Sequence, residues 1–307
     1  MRPGGTMLVR RWSIGFVVLA LAAAACGSRG SSNTKKPTTP SGSATTPVDP
    51  KTPCGPGNAK GSTDTGVTDK SIKIATIQDI SGPRPSLFQA NQDAMVAFVA
   101  YCNGLGGVNG RRLELEKLDS GLYDARPRAE QACGDAFAIV GQAAALDEGV
   151  AEASVACGIP EVLPFGSTTA MANAVNAVSS TPAPPDLLPA GGERYLAQKY
   201  PDAVKHAAML YVSLPTTEVL AKRRIEGFTK LGFKFDVERQ IAVVEVNWGP
   251  VVDLFRNDHT QYFNVVSDFT NLVGLERELA QQGVRPKFPE SDQSGYDQGV
   301  LTQAGAA

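Results

Sequence analysis

The sequence predicts an α/β fold of two doubly wound parallel-sheet lobes with a hinge and a central cleft. Three observations predict it. Strand-like and helix-like runs take turns from residue 72 to residue 282; glycines and prolines punctuate the junctions; and a proline cluster at residues 181–185 divides the rhythm in two. Strands that alternate with helices form parallel sheets, because a parallel pair needs a crossover and the helix supplies it.

Residues 72–77 largely alternate apolar and polar, as in a strand. Residues 79–85 break it, and the apolar run 90–101 then places Ala94, Phe98 and Tyr101 at helical spacing. The glycines of 104–110 stop that helix because glycine takes φ > 0 freely. A second strand, 113–118, closes the first β-α-β unit. Helices at 125–136 and 143–156 and strands at 137–140, 159–163 and 176–179 fill out the first lobe. Proline breaks helix and sheet alike, so 181–185 marks the boundary. The second lobe restarts with a helix at 186–200, a strand at 206–212, a helix at 216–231 and a strand region at 233–246. A short helix at 250–256, a strand at 262–267 and a helix at 274–282 follow.

At 307 residues and 42% hydrophobic content, the chain can bury one large core or two smaller ones. A formal net charge of -2 carries none of the basic bias of nucleic-acid binders. Two histidines and five scattered cysteines show no metal-ligand spacing, and His206 and His259 stand alone. There is no Gly-x-Ser-x-Gly elbow and no phosphate-binding Gly-x-x-x-x-Gly-Lys, and the glycines of 104–110 follow a helix and precede a strand, the reverse of a dinucleotide fingerprint. Neither an enzyme nor a cofactor is expected. Ligands of parallel α/β sheets bind at the carboxyl ends of strands, so capture of a small molecule is.

Residues 1–11 carry Arg2, Arg10 and Arg11 and no acid, and an uncharged apolar run follows to Ala25. That run is too short for a membrane span and fits a secretory signal, residues 1–25. Cys26, directly after small residues, resembles the lipidated cysteine of bacterial lipoprotein signals, although Ala23 stands where that pattern usually has Leu; an ordinary signal with an incidental cysteine is the alternative. Removing residues 1–25 takes away three of the 29 basic residues and none of the 31 acidic ones, so membrane attachment would come from lipid. Residues 26–65 are Ser, Thr, Gly, Pro and Lys with almost no large apolar residue, which predicts a disordered tether. The lobes are then 66–182 and 183–307.

Gly66-Val67-Thr68-Asp69-Lys70-Ser71-Ile72-Lys73-Ile74, Asp79-Ile80-Ser81-Gly82-Pro83 and Asp119-Ser120-Gly121-Leu122-Tyr123-Asp124, in that order and with the glycine turn between them, resemble the branched-chain amino-acid-binding family of extracytoplasmic solute-binding proteins. The resemblance implies a type I periplasmic-binding-protein fold and a lipid-anchored receptor, outside the cytoplasmic membrane, that hands an amino acid or similar solute to the membrane subunits of an ABC importer. The alternatives are a ligand-sensing receptor-type domain of the same fold, or a secreted hydrolase. The family continues well past residue 297, so the chain is expected to lack segments that complete the second lobe, and to fold its first lobe better.

By the same resemblance, Ser167, Thr168 and Thr169 fall where the family keeps ligand-contacting hydroxyls, although Ser and Thr there equally suit a helix N-cap. After the third strand the family's hydroxyls are replaced by Gly141-Gln142-Ala143-Ala144-Ala145, leaving Gln142 and backbone N–H groups such as that of Ala143 to hold a ligand carboxylate. Ser81 and Gln89 add to the first lobe's set. Ser213, Asp268 and Glu290 face them from the second, with Glu290 the partner for a ligand ammonium or else a solvated loop acid. Tyr262 and Phe263 read as strand core. An exported chain keeps disulfides, and four cysteines besides Cys26 allow three pairings. Placing the second and third helices on one face favours Cys133–Cys157, leaving Cys54–Cys102; buried free thiols are the alternative.

Overall fold

The computed structural model describes residues 53–181, 187–291 and 302–303. The expected signal peptide, Cys26, most of the tether and nearly all of the proline boundary lie outside the described residues.

The first lobe runs β1 (Ser71–Gln78), α1 (Gln89–Gly104), β2 (Arg112–Asp119), α2 (Ala125–Asp135), β3 (Ala138–Val140), α3 (Asp147–Cys157), β4 (Glu161–Leu163), α4 (Thr169–Ala172) and β5 (Ala177–Ser179). Its strands are all parallel, in the order β2-β1-β3-β4-β5. Ile74 pairs with Leu115 of β2 on one side and Ala138 of β3 on the other, and Ala75 through Gln78 are fully buried. A strand covered on both faces is what a parallel sheet between helix layers requires. The core is built largely of alanine, with Ala125, Ala129 and Ala132 of α2 and Ala151 and Ala153 of α3 packed around Ile77 and Ile139. A disulfide between Cys133 and Cys157, Cα atoms 6.1 Å apart, fastens the ends of α2 and α3.

The second lobe runs α5 (Gly191–Lys199), a 3-10 turn at Ala203–Lys205, β6 (Ala207–Val212), α6 (Pro215–Thr229), β7 (Phe235–Ile241), α7 (Gly249–Asn257), β8 (Tyr262–Val266), α8 (Phe269–Gln281) and β9 (Phe288–Ser291). Its parallel order is β7-β6-β8-β9. Here the core is aromatic. Phe255 and Phe263 pack in a tilted pair at 5.3 Å, and Phe233 meets Phe228 and Tyr262 at 5.6 and 4.8 Å.

Several details go beyond the sequence reading or depart from it. On α1 the buried line is Met95, Val99 and Cys102, whereas Phe98 and Tyr101 are 42% and 65% exposed. Both lines have helical spacing, one residue apart; the second disulfide, Cys54–Cys102, turns the Cys102 line inward. That bond also begins the fold at Cys54, inside the stretch assigned to the tether. The Gly55 N–H donates to the Gly107 carbonyl at 2.6 Å, and Arg111 donates to the Gly61 carbonyl at 2.9 Å. Backbone bonds and a disulfide hold this segment, and neither registers in hydropathy. The third helix starts at Asp147, not Ala143, because residues 143–145 continue from β3 and bind back to β1. The last starts at Phe269, not Gly274, because Asp268 caps it, accepting the Thr270 and Asn271 N–H groups.

Candidate ligand cleft

Strand order fixes where the crevice lies. In each sheet the chain reverses direction of winding beside its first strand, between β1 and β3 in one lobe and between β6 and β8 in the other. Loops leaving the carboxyl ends at such points diverge and leave room for a ligand. The relevant loops are 79–88 and 141–146 of the first lobe and 213–214 and 267–268 of the second. The two sets meet. Leu122, 1% exposed, lies in the same apolar cluster as Ala208, Leu210 and Phe263 of the second lobe, with Ala145 and Leu146 at its edge.

Three carboxylates wire the first lobe's rim. Asp79, fully buried, accepts the Ser120 hydroxyl at 2.6 Å, the Leu122 N–H at 2.8 Å and the Ala145 N–H at 2.8 Å. Asp119 accepts the N–H groups of Ile80, Ser81 and Gly121. Burial works to raise the Asp119 carboxyl, but bonds from Ser81, Gly121 and Ile80 outweigh it and hold it down at about 2. Asp147 accepts the Ser167 N–H at 2.6 Å and the Thr168 N–H at 3.2 Å; burial nonetheless leaves its carboxyl above the usual range. These bonds hold two constrained positions. Leu122 has φ 81° without being glycine, a conformation that costs about 1–3 kcal/mol and persists only when its surroundings enforce it. At Gly82 (φ 85°) a Cβ would sit 2.3 Å from the Gly121 carbonyl oxygen, so only glycine lets loops 79–88 and 120–124 pass this closely.

The wiring commits part of the expected site to partners inside the lobe. Gln142 is fully buried, its amide oxygen accepting the Ala144 N–H and its Nε2 left without an acceptor. The Ala143 N–H already donates to the Ile77 carbonyl, and the Ala145 N–H to Asp79. The Ala143 and Ala145 N–H groups therefore cannot also hold a ligand carboxylate. Thr168 is the N-cap of α4, its hydroxyl accepting the Met171 N–H at 3.2 Å. Ser167 stays on the rim with Thr169 exposed beside it. Gln89 starts α1 and bonds Asp93. Ser81 and Ser213 are exposed at strand ends, the Ser213 N–H paired with the Ile241 carbonyl. Glu290 does not reach across a hinge. It lies in β9, where the Tyr262 hydroxyl donates to it at 2.5 Å. Burial and a bond shared with Glu193 raise its carboxyl to about 7.

Asp268 does reach the interface, and its partner there is a residue the sequence reading missed. Arg84, in the loop after β1, places Nε 2.6 Å from Asp268 Oδ2, with both side chains about nine-tenths buried (10% and 9% exposed). The approach is too oblique for a hydrogen bond, so Arg84 Nε and Nη2 are buried donors without an acceptor. Orphaned buried N–H groups cost about 1–3 kcal/mol each. Burial lowers the guanidinium pKa and Asp268 opposes that; an arginine stays protonated in any case. The signal for Arg84 was its place between Gly82-Pro83 and Pro85, a charged residue in a loop shaped by its neighbours. Elsewhere, a cavity of about 240 Å³ opens between Phe255, His259, Gln282 and Arg285. It adjoins the amino end of β8, the opposite end of the sheet from the cleft. No metal-ligand cluster of His, Cys, Asp and Glu occurs among the described residues, and none of their helices is long and apolar enough to cross a membrane.

Two parallel α/β lobes that face each other across their strand-order reversals define a two-lobed binding-protein fold. The chain belongs to the periplasmic binding protein family, whose pattern it matches over residues 71–307. Solved structures share the fold. A type 1 periplasmic binding protein of Bordetella pertussis Tohama I aligns with TM-score 0.62 and 20% identity, over 77% of this chain and 66% of that one. The substrate binding protein LivJ of a branched-chain amino acid transporter from Streptococcus pneumoniae, in complex with isoleucine, gives 0.65 and 15% over 77% and 68%. A solute binding protein of an ABC transporter from Rhodopseudomonas palustris BisB5, in complex with 3,4-dihydroxybenzoic acid, gives 0.64 and 14% over 77% and 66%. The chain thus spans about two thirds of the length of these structures. No curated protein matches it.

Proposed function

We propose that the protein is the extracytoplasmic solute-binding component of an ABC importer, not an enzyme, and that it takes a small polar solute between its lobes. The observation that carries this reading is the meeting of the two switch-point loops, Arg84 from β1 and Asp268 from β8, within a chain of the periplasmic binding protein family. Neighbours of the same fold are described with an amino acid and with an aromatic acid, which sets the range of solutes to try. The sequence of residues 1–26 supports export and lipidation at Cys26, which would hold the domain at the membrane surface.

A thermal-shift screen of amino acids, aromatic acids, amides and sugars tests the binding reading, since a solute that binds only the folded state raises its apparent stability. Saturable stabilisation by one chemical class is the expected result; a flat response across the panel overturns it. Mass spectrometry of membrane-extracted protein tests the anchor. A diacylglyceryl-modified Cys26 is expected, with Cys26→Ser released from the membrane. A mature N-terminus elsewhere removes the anchor from the proposal.

A further inference from the structure

We propose that Arg84 is the residue that anchors the solute, and that the group it anchors is a carboxylate, whose place Asp268 takes in this structure. The inference rests on the solute-binding reading above and names the class of ligand within it. It starts from position. Arg84 follows β1 and Asp268 follows β8, the strands beside the reversal points of the two sheets, where loops from both lobes converge on whatever lies between them.

The second observation is the state of the guanidinium. It is nine-tenths buried, yet Nε and Nη2 have no hydrogen-bond acceptor. Native proteins pair such groups almost without exception. A guanidinium offers its N–H groups as a planar fork, and the acceptor that matches the fork is a carboxylate. Asp268 shows that a carboxylate fits beside Arg84, although it approaches at an angle the fork cannot use. The reason is on the same side chain. Oδ1 of Asp268 is held by the N–H groups of Thr270 and Asn271 at 2.7 and 3.1 Å, so the carboxylate serves α8 first. A solute carboxylate, free of that obligation, can turn to take two donors at once, while Asp268 keeps its cap.

The third observation removes the competitors. The rim donors of the first lobe that could otherwise hold a carboxylate, the N–H groups of Ala145, Ser167 and Thr168, are spent on Asp79 and Asp147. Their carboxylates are part of the chain itself and fully bonded into the loops. Among the described side chains of this rim, Gln142 Nε2 and the Arg84 guanidinium remain without an acceptor, and of the two Arg84 carries the charge and the fork.

Isothermal titration of the full chain tests the assignment, with acetate, 4-hydroxybenzoate and L-isoleucine as probes, each beside its amide. At least one acid is expected to bind, with its amide on the order of 100-fold weaker, as for a buried charge pair that loses a partner. Arg84→Gln should lose acid binding to the same degree. Arg84→Lys, which keeps charge but not the fork, should fall between. Asp268→Asn, which preserves the α8 cap, should bind the acid at least as tightly as the parent. Melting curves establish that each variant is folded. Equal affinity for acid and amide, or acid binding that survives Arg84→Gln, overturns the role of Arg84 and leaves the solute-binding reading intact. No binding of any acid also overturns it, and a flat response to the wider screen then removes the binding reading as well.

Discussion

The two lobes share a winding pattern and solve the same packing problem with different materials. The first is cored by alanine, tied by two disulfides, and its rim is laced by Asp79, Asp119 and Asp147 reaching from one loop to another. The second has no disulfide among the described residues and is cored by Phe228, Phe233, Phe255, Tyr262 and Phe263. Its rim carboxylates act at short range, Glu245 on the N–H groups of Ala242, Val246 and Asn247, and Asp268 on its own helix. Small side chains bring helices close to a sheet but bury little apolar area per residue, so links must supply what area does not. Aromatic rings bury a large area each and leave less for links to do.

If that contrast is right, the largest single effect comes from the second lobe's core. Phe263 is fully buried between β6 and Phe255, and Phe263→Ala should cost about 3–5 kcal/mol by denaturant unfolding. A loss under 1 kcal/mol would mean the aromatic core is not what holds this lobe.

The first lobe should answer instead to reduction. Opening the Cys133–Cys157 loop, with its sequence separation of 24, releases unfolded-state entropy worth about 3 kcal/mol. The paired Cys133→Ser, Cys157→Ser variant should therefore lose amide protection in α2 and α3 in hydrogen exchange and leave β6 and β8 unchanged. Equal loss in both lobes would show that the lobes unfold as one unit.

Acidity offers a subtler contrast. Glu161 is 1% exposed, and burial, opposed by bonds from Ser154 and Gln142, raises its carboxyl from 4.5 to about 7. A raised carboxyl binds its proton more tightly folded than unfolded. Folding stability is then fully present below the unfolded value, falls as pH rises from about 4.5 through about 7, and levels off above. A shift of this size corresponds to about 3 kcal/mol. Glu290 is raised to about 7 as well, in the second lobe. Glu161→Gln should remove the first lobe's share of the decline between pH 5 and 8, read from melting temperature, and Glu290→Gln the second lobe's. A pH profile unmoved by either substitution would contradict the burial of both groups as acids.

Much of this was legible in the sequence because it is periodic. Alternation and glycine punctuation place the parallel strands, and turn chemistry places Asp79, Asp119 and Asp268 at the strand ends. What periodicity does not carry is partnership over distance. Nothing near Asp79 in the chain announces Ala145, 66 residues on, and nothing near Arg84 announces Asp268. The candidate donor Ala143 sits at the right place in the order of elements, yet its N–H is used inside the lobe, and Gln142 beside it is fully buried. The same gap explains residues 54–64, which are held by a disulfide and backbone bonds that composition does not record.

The last prediction concerns a choice that periodicity left undetermined. On α1 the lines Ala94–Phe98–Tyr101 and Met95–Val99–Cys102 repeat identically, and hydrophobicity alone favours the first, since it carries the rings. The structure buries the second, because Cys102 must reach Cys54 and Asn103 must exchange bonds with the backbone of Leu113 in β2. Those fixed points set the rotation of the helix, and Phe98 and Tyr101 follow it to the surface. The paired substitution Phe98→Ser, Tyr101→Ser removes two rings that stay 42% and 65% exposed, so it should cost less than about 2 kcal/mol. Met95→Ala, on the buried line and in van der Waals reach of Gly141, should cost about 2–5 kcal/mol. Chemical denaturation of both variants in parallel decides it. A double serine variant that loses more than Met95→Ala would mean that α1 is rotated by one residue in solution, with the aromatic line inward and the Cys54–Cys102 link unable to form as placed here.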